Sequence, residues 1–393
     1  MSDDNLPLSH IKVLDLTRVR AGPACVRQFA DWGADCIKIE ITGDQGDGYS
    51  DGRHKGDFQN LHRNKRSITL DLKHPQGLAV FRRLVETADV VVENFRPDVK
   101  TRLGIDYEAV RAINPRIVYA SISGYGQDGP YRMRPGFDQI AQGMGGLMSI
   151  TGLPGQGPVR AGIAIADTSA GLYCALGILT ALLEREVSGE GQWVKTSLLQ
   201  AQIGLLDFQA TRWLMDGVVP PQAGNDHPTV YPMGVFPAAD GLINIAASGE
   251  GMWRKLCDEL GLQRIVDDAR FADGGRRSRN RAALYEIIAE TTGAKPAREW
   301  IERLNAVGVP CGPIYTIDQV FADPQVHALG IAQSVTHPKL GETMLVGQPV
   351  ELSRTPGTIE TPTPAHGAHT DDVLRDLGYD AQEIAGLRAA GAL

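Results

Sequence analysis

VLDLTRVRAGPACVRQFADWGADCIKIE, residues 13–40, decides the fold. Residues 12–17 (KVLDLT) form a short apolar run that ends in turn residues, the pattern of a buried strand. The run breaks at Arg20-Ala21-Gly22-Pro23, and a helical stretch follows to Trp32. Gly33 can stop that helix, and 36–40 (CIKIE) is the next strand. Further along, 67–72 (SITLDL), 89–93 (DVVVE) and 117–122 (IVYASI) repeat the strand pattern, with helices at 75–88 and 107–113 between them. Pro75 stands where the first helical position tolerates proline. This alternation implies an α/β domain: a mainly parallel sheet with helices on both faces.

Residues 143–157 are glycine-rich and read as loop, and 161–166 (AGIAIA) as a strand-like run. A helix over 168–185 follows, with Leu172, Leu176, Leu179 and Leu183 at helical spacing, which predicts a buried helix. Helical pattern continues over 195–214. Residues 218–228 hold three prolines and read as a linker. A hairpin at 232–236 and 242–246, then helices at 251–260, 281–290 and 296–307, predict a second, smaller α+β domain over 226–325. After 331 strand character returns, and a final helix follows the proline-rich 355–364.

Composition narrows the function classes. A formal charge of -8 over 393 residues argues against nucleic acid as a partner. The longest apolar stretch, 171–183, falls short of the roughly 20 residues a bilayer needs. The first ten residues are polar and acidic, unlike a signal peptide. Five cysteines lie far apart without a CxxC pair, which favours a reducing, cytoplasmic setting over a disulfide framework or a zinc site. His366 and His369 form HxxH without further ligands at suitable spacing, so no metal is expected.

Four constellations can carry chemistry. In an open α/β sheet, ligands sit beyond the carboxyl ends of the strands, so the turn 18–23 is a candidate, or a plain turn. It lacks the GxGxxG of a dinucleotide site, which disfavours a nicotinamide oxidoreductase. His62-Arg63-Asn64-Lys65-Arg66, with Lys73 beyond, reads either as phosphate ligands or as a solvated basic loop. Asn94 and Phe95 end a strand, where an amide can bond a base and a ring can stack; a helix cap and a core aromatic are the other reading. Asp167 opens the apolar helix among Ala164, Ala166, Ser169, Ala170 and Gly171. It is either an ordinary N-cap or a carboxylate nucleophile with room for substrate.

Taken in order, VLDLTRVRAGP (13–23), GADCIKIE (33–40), HRNKRSITLDLK (62–73), VVVENFRP (90–97), GYGQDGPY (124–131), GLMSITG (146–152), IADTSAGLYCALGILTALLER (165–185), GVPCGPIY (308–315) and HTDDVL (369–374) resemble the class III coenzyme A transferases. That family holds formyl-CoA transferase, carnitine CoA-transferase and the alpha-methylacyl-CoA racemases. The resemblance implies a large doubly wound, Rossmann-like domain built from both chain ends, 1–217 and 331–393, with the smaller α+β domain inserted between them, and a homodimer of two interlocked subunits. It also implies Asp167 as the carboxylate that carries the acyl group, and coenzyme A or acyl-CoA as substrate with no permanently bound cofactor. It places Val19, Arg20 and Ala21 on the first CoA-contacting turn, Leu70 and Lys73 around the nucleotide, and Asn94, Phe95 and Arg102 at further CoA contacts. Phe137 lines the site beside the acyl group, where the racemases carry a histidine base. Formyl-CoA transferase has glutamine at the position of Arg20, and its glycine-rich mobile loop corresponds here to 247–251 (ASGEG). The implied activity moves CoA from an acyl-CoA such as succinyl-CoA to a small carboxylic acid; a fixed cation at Arg20 favours a dicarboxylate. A racemase and a non-catalytic acyl-CoA-binding protein are the alternatives.

Overall fold

The computed structural model describes residues 6–43 and 52–393. A six-stranded, all-parallel sheet runs β1 (Lys12–Asp15), β2 (Asp35–Glu40), β3 (Lys65–Thr69), β4 (Val90–Glu93), β5 (Val118–Ser123) and β6 (Trp193–Ser197). Its spatial order is β3-β2-β1-β4-β5-β6, so the chain reverses its direction of progress between β1 and β4. The crevice beyond the carboxyl ends of those two strands is where such sheets bind ligands. Helices follow the strands: α1 (Ala21–Ala30), α2 (Gly56–His62), α3 (Pro75–Glu86), α4 (Pro97–Leu103), α5 (Tyr107–Arg111), α6 (Asp138–Met144), α7 (Leu147–Ile150), α8 (Ile165–Ser188) and α9 (Leu198–Gly204).

Alternate residues of β1 and β4 feed two cores, as the period-2 geometry of a strand requires. Val13, Val90 and Val92 meet Cys25, Phe29, Ala170, Cys174 and Ile178 on the α1 and α8 side. Leu14 and Val91 meet Phe81, Leu84 and Val85 of α3 and Val373 and Leu374 near the chain end on the other. The doubly wound arrangement is therefore present, with the C-terminal segment packed on one face.

Compact units divide the chain at Met1–Leu147, Ala161–Ala210 and Gln325–Leu393 for one, and Met148–Arg160 and Thr211–Pro324 for the other. The second unit thus takes in 148–160 and begins at 211, ahead of the proline-rich 218–228. It carries an antiparallel three-stranded sheet, Met233–Ala238, Gly241–Ala246 and Cys311–Pro313, backed by helices that bury Trp253, Leu256, Phe271 and Trp300. The 247–251 stretch is ordered there as the start of a helix over Gly249–Leu260, and Glu250 pairs with the buried Arg277 at 2.5 Å.

Three expectations need correction. Residues 195–214 are not continuous helix: 193–197 is the edge strand β6, and a break at Leu205 and Leu206 separates α9 from a helix over Phe208–Asp216. Residues 161–166 form no strand, because α8 already begins at Ile165. Finally, the leucine stripe of α8 is not its buried face. Leu172, Leu176 and Leu183 are 48%, 61% and 73% exposed, while Ala166, Ala170, Cys174, Ala175 and Ile178 are buried. The helix is 24 residues long and apolar enough to cross a membrane by length alone, but half of its most apolar window lies buried within the protein. Small residues on that face allow close packing on α1, and this decides which side turns inward.

Candidate active site

Asp167 lies in the first turn of α8, not at its N-cap; the N-cap is Ala164, which offers no capping side chain. Another carboxylate does that work. Asp138, at the start of α6 and only 7% exposed, accepts from the Ala166 N–H at 2.8 Å and the Asp167 N–H at 3.4 Å through Oδ1. Its Oδ2 accepts from Gln142 Nε2 at 2.6 Å, and Gln142 Oε1 accepts from the Ala161 N–H at 2.9 Å. The approach to α8 is thereby fixed to α6, and Asp138 serves the orphan donors that begin any helix.

Gly171 sits one helical turn beyond Asp167 on the same face. A Cβ at Gly171 would come within 2.6 Å of the Ala21 carbonyl oxygen. On the opposing turn, a Cβ at Gly22 would come within 2.3 Å of Thr17 Cβ. The first approach brings the head of α8 against the start of α1, and the second folds the turn between β1 and α1 tightly on itself, with Arg20 as the residue before the helix.

The carboxyl of Asp167 is pushed up to about 6. Burial is the largest cause, the Asp138 carboxylate adds to it, and the Arg20 guanidinium pulls it back down. At neutral pH the group is ionised yet poorly solvated, the state a carboxylate nucleophile requires.

The turn itself is strained. Val19 has φ 64, a left-handed conformation that a β-branched residue rarely adopts. Asn94 holds it from the end of β4: Oδ1 accepts from the Arg18 N–H at 2.9 Å, and Nδ2 donates to the Arg18 carbonyl at 2.7 Å. The Arg18 guanidinium lies 5.8 Å from the Phe95 ring centre. Beneath them, Lys100 is buried and bonds Glu93 at 2.7 Å, Ser121 at 2.9 Å and Gln127 at 2.6 Å, while Glu93 accepts from the Phe95 N–H at 2.8 Å. This buried network fixes the 94–97 turn, and the sequence reading had not singled it out.

Most candidates lie in segments that follow the carboxyl ends of β1, β3 and β4. Val19, Arg20 and Ala21 follow β1, Lys73 lies beyond β3 with an exposed side chain, Asn94 and Phe95 follow β4, and Arg102 lies on α4 with 68% of its side chain exposed. Phe137 is the residue before α6 and is 46% exposed. Others differ from expectation. Leu70 is 2% exposed within the core on the α3 side, so its side chain is a packing residue rather than a ligand contact. The amide of Asn94 is engaged with Arg18 rather than presented to a base. The basic run 62–66 is neither a phosphate cradle nor a solvated loop. Arg63 makes a bidentate buried pair with Asp31 at 3.0 and 2.7 Å, Lys65 pairs with buried Asp15 at 2.8 Å, and Arg66 bridges Asp35 and Asp376. Burial pushes the Asp15 carboxyl up, and Lys65 and Lys38 more than offset it, holding it below its ordinary value. The HxxH histidines serve the backbone: His366 Nε2 lies 3.0 Å from the Ile41 carbonyl, and His369 Nδ1 accepts from the Ser67 N–H at 3.1 Å. Arg20 pairs with Asp57 at 3.0 Å.

The comparisons with known proteins agree with this geometry. The family model of CoA-transferase family III matches residues 8–370. The chain is 41% identical to a succinate–glutarate CoA-transferase of Agrobacterium fabrum, over 94% of this chain and 96% of the relative. It is 33% identical to the succinyl-CoA:glutarate CoA-transferase of Homo sapiens, over 98% and 90%. A solved CaiB/BaiF family protein from Brucella suis superposes with a TM-score of 0.82 at 36% identity, covering 95% of this chain and all of that one. With a parallel sheet that reverses at the β1/β4 crevice and the IAD segment opening α8 beside it, the chain belongs to CoA-transferase family III and is a CoA-transferase.

Proposed function

We propose that this enzyme moves CoA from succinyl-CoA to a small dicarboxylic acid, with Asp167 as the group that carries the acyl moiety. One observation carries the reading: Asp167 is a half-buried carboxylate in the first turn of α8, whose head packs against the turn that carries Arg20, close enough for the guanidinium to act on its charge. The relatives that act on succinate and glutarate support the substrate class.

The Asp167 carboxylate attacks the thioester carbonyl of the donor, the C–S bond breaks, and CoA leaves as thiolate. The product is a mixed anhydride between Asp167 and the donor acid. The thiolate then attacks the aspartyl carbonyl and expels the donor carboxylate, leaving an aspartyl-CoA thioester. The acceptor carboxylate repeats the first step on that thioester, and the returning thiolate takes the acceptor acyl group and frees Asp167. Each step exchanges one leaving group for one nucleophile, so no redox partner is consumed. Splitting the exchange this way lets a weak nucleophile act on a reactive acceptor. Arg20 holds the remote carboxylate of a dicarboxylate through its guanidinium fork. Lys73 and Arg102 are exposed cations suited to CoA phosphates.

Phe137 has no ionisable group, which removes the second base a racemase needs. We place the enzyme in a reducing compartment such as the cytoplasm, in keeping with five unpaired cysteines, four of them buried. We also propose a homodimer, supported by the exposed apolar face of α8 at Leu172, Leu176, Leu183 and Val187; a monomeric mass by light scattering would contradict it.

The mechanism is tested with Asp167→Ala and by trapping. The variant is expected to lose at least about a thousandfold in CoA transfer, and the wild type, quenched during turnover, to show a CoA or acyl adduct on the peptide containing Asp167. Near-normal turnover of the variant would refute the assignment.

A further inference from the structure

Arg20 is placed where a cation costs stability. It stands immediately before α1, at the positive end of the helix dipole, and the first turn of α1 holds no acidic residue. Its counter-ion comes from elsewhere: Asp57, in the first turn of α2, lies 3.0 Å from one guanidinium nitrogen. This pair is open to water, as is that of Arg66 with Asp376, and unlike the buried arginine pairs of the same unit. Arg63 and Asp31 are 0% and 1% exposed and bidentate, and the side chain of Arg185, paired with Asp89, is 6% exposed. In the Arg20 pair the carboxylate is 79% exposed and the guanidinium 32%. Such a pair is screened by water and weakly held.

We propose that Asp57 is an internal stand-in for the acceptor's remote carboxylate, which it yields when a dicarboxylate binds. The inference rests on the reading that Arg20 recognises the acceptor. Asp57 keeps the cation neutralised and oriented while the site is empty, and the incoming carboxylate takes its place against the guanidinium. The exchange swaps one anion for another, so the charge beside Asp167 stays nearly constant through the cycle. That constancy matters, because Arg20 is one of the two charged groups that tune the Asp167 carboxyl. Asp57 is therefore a positioning residue that sets the affinity threshold for dicarboxylates, with acceptor binding paid against the loss of the internal pair.

The test uses the full-length enzyme with succinyl-CoA as donor, and glutarate and butyrate as acceptors that differ in the remote carboxylate. Wild type, Asp57→Asn, Arg20→Gln and the double variant are compared by kcat and KM, with thermal melts as a folding control. An exposed pair of this kind corresponds to a factor of about two to five. Asp57→Asn is expected to lower the glutarate KM by about that factor and to raise the glutarate-to-butyrate ratio of kcat/KM. In the Arg20→Gln background the same substitution is expected to leave the ratio where Arg20→Gln alone put it. A glutarate KM that rises or stays fixed in Asp57→Asn, or an equal shift for both acids, overturns the role of Asp57. If Arg20→Gln itself leaves the glutarate preference intact, the acceptor reading fails first. Asp57→Ser, which also removes the charge, guards against an effect peculiar to asparagine.

Discussion

Replacing Asp167 by asparagine is expected to abolish transfer and, at neutral pH, to stabilise the protein. The carboxyl stands at about 6 against an ordinary 3.8, mainly because burial disfavours its charged form. Between those two values the folded enzyme holds a proton that the unfolded chain has already released. Stability contributed by this group therefore falls as pH rises through the window, and the full penalty is present above pH about 6. At about 1.4 kcal/mol per pKa unit the penalty comes to about 3 kcal/mol. Asparagine keeps the shape, carries no charge, and escapes it. Urea unfolding of both proteins at pH about 7.5 should show the variant more stable by up to about 3 kcal/mol, and the gap should shrink through the window and close as the pH is lowered below about 3.8, where the wild-type carboxyl becomes protonated in both states. Turnover, measured in parallel, should be lost because the amide cannot serve as the nucleophile. A variant less stable than wild type at pH about 7.5, or a stability gap that does not change with pH, would refute the argument that a desolvated charge is held at this site.

Two further outcomes follow from the groups around it. Asp138→Asn removes the carboxylate that helps raise the Asp167 pKa, so the acid limb of kcat/KM, expected near 6 in the wild type, should move to lower pH. The same change sets an amide donor against Gln142 Nε2 and should cost about 1–3 kcal/mol of stability in melts. Val19→Gly relieves a left-handed β-branched residue worth about 1–2 kcal/mol and returns about 0.5–1 as lost chain entropy. A melting temperature at or slightly above wild type is expected, with a raised donor KM; a strongly destabilised variant would show that the turn is not strained.

The sequence showed β1, β2, β4 and β5, because each is a short apolar run buried on both faces between turn residues. It placed β3 two residues late, since Lys65 and Ser67 are polar strand residues whose burial depends on Asp15 in β1 and Glu40 in β2. It missed β6, an edge strand that is only partly buried and runs directly into α9. The buried face of α8 was not legible because the helix is apolar nearly all round, and spacing alone cannot choose between a leucine stripe and a stripe of alanine, cysteine and glycine. Asp167 could be read from its small neighbours and the resemblance. Asp138 could not: an aspartate at a helix start is ordinary, and only the fold brings it to the amides of Ala166 and Asp167. The strain at Val19 left no trace in the sequence either, since nothing about a valine announces a positive φ.

On the proposed mechanism, those two unread features explain how one aspartate among many is readied as the nucleophile. A carboxylate in water is well solvated and attacks poorly; a carboxylate buried without compensation simply takes up a proton. The site lies between these limits. Asp138 occupies the Ala166 amide and lies near enough for its charge to oppose that of Asp167, so the helix head does not quench the nucleophile with hydrogen bonds. Arg20, carried by the strained turn that Asn94 holds, supplies enough positive charge to limit the rise to about 6. Removing Asp138 would leave a better solvated, less basic carboxylate, and removing Arg20 one that is protonated over more of the working pH range. The two opposing neighbours, rather than Asp167 alone, set the fraction of enzyme that is ready to attack the thioester.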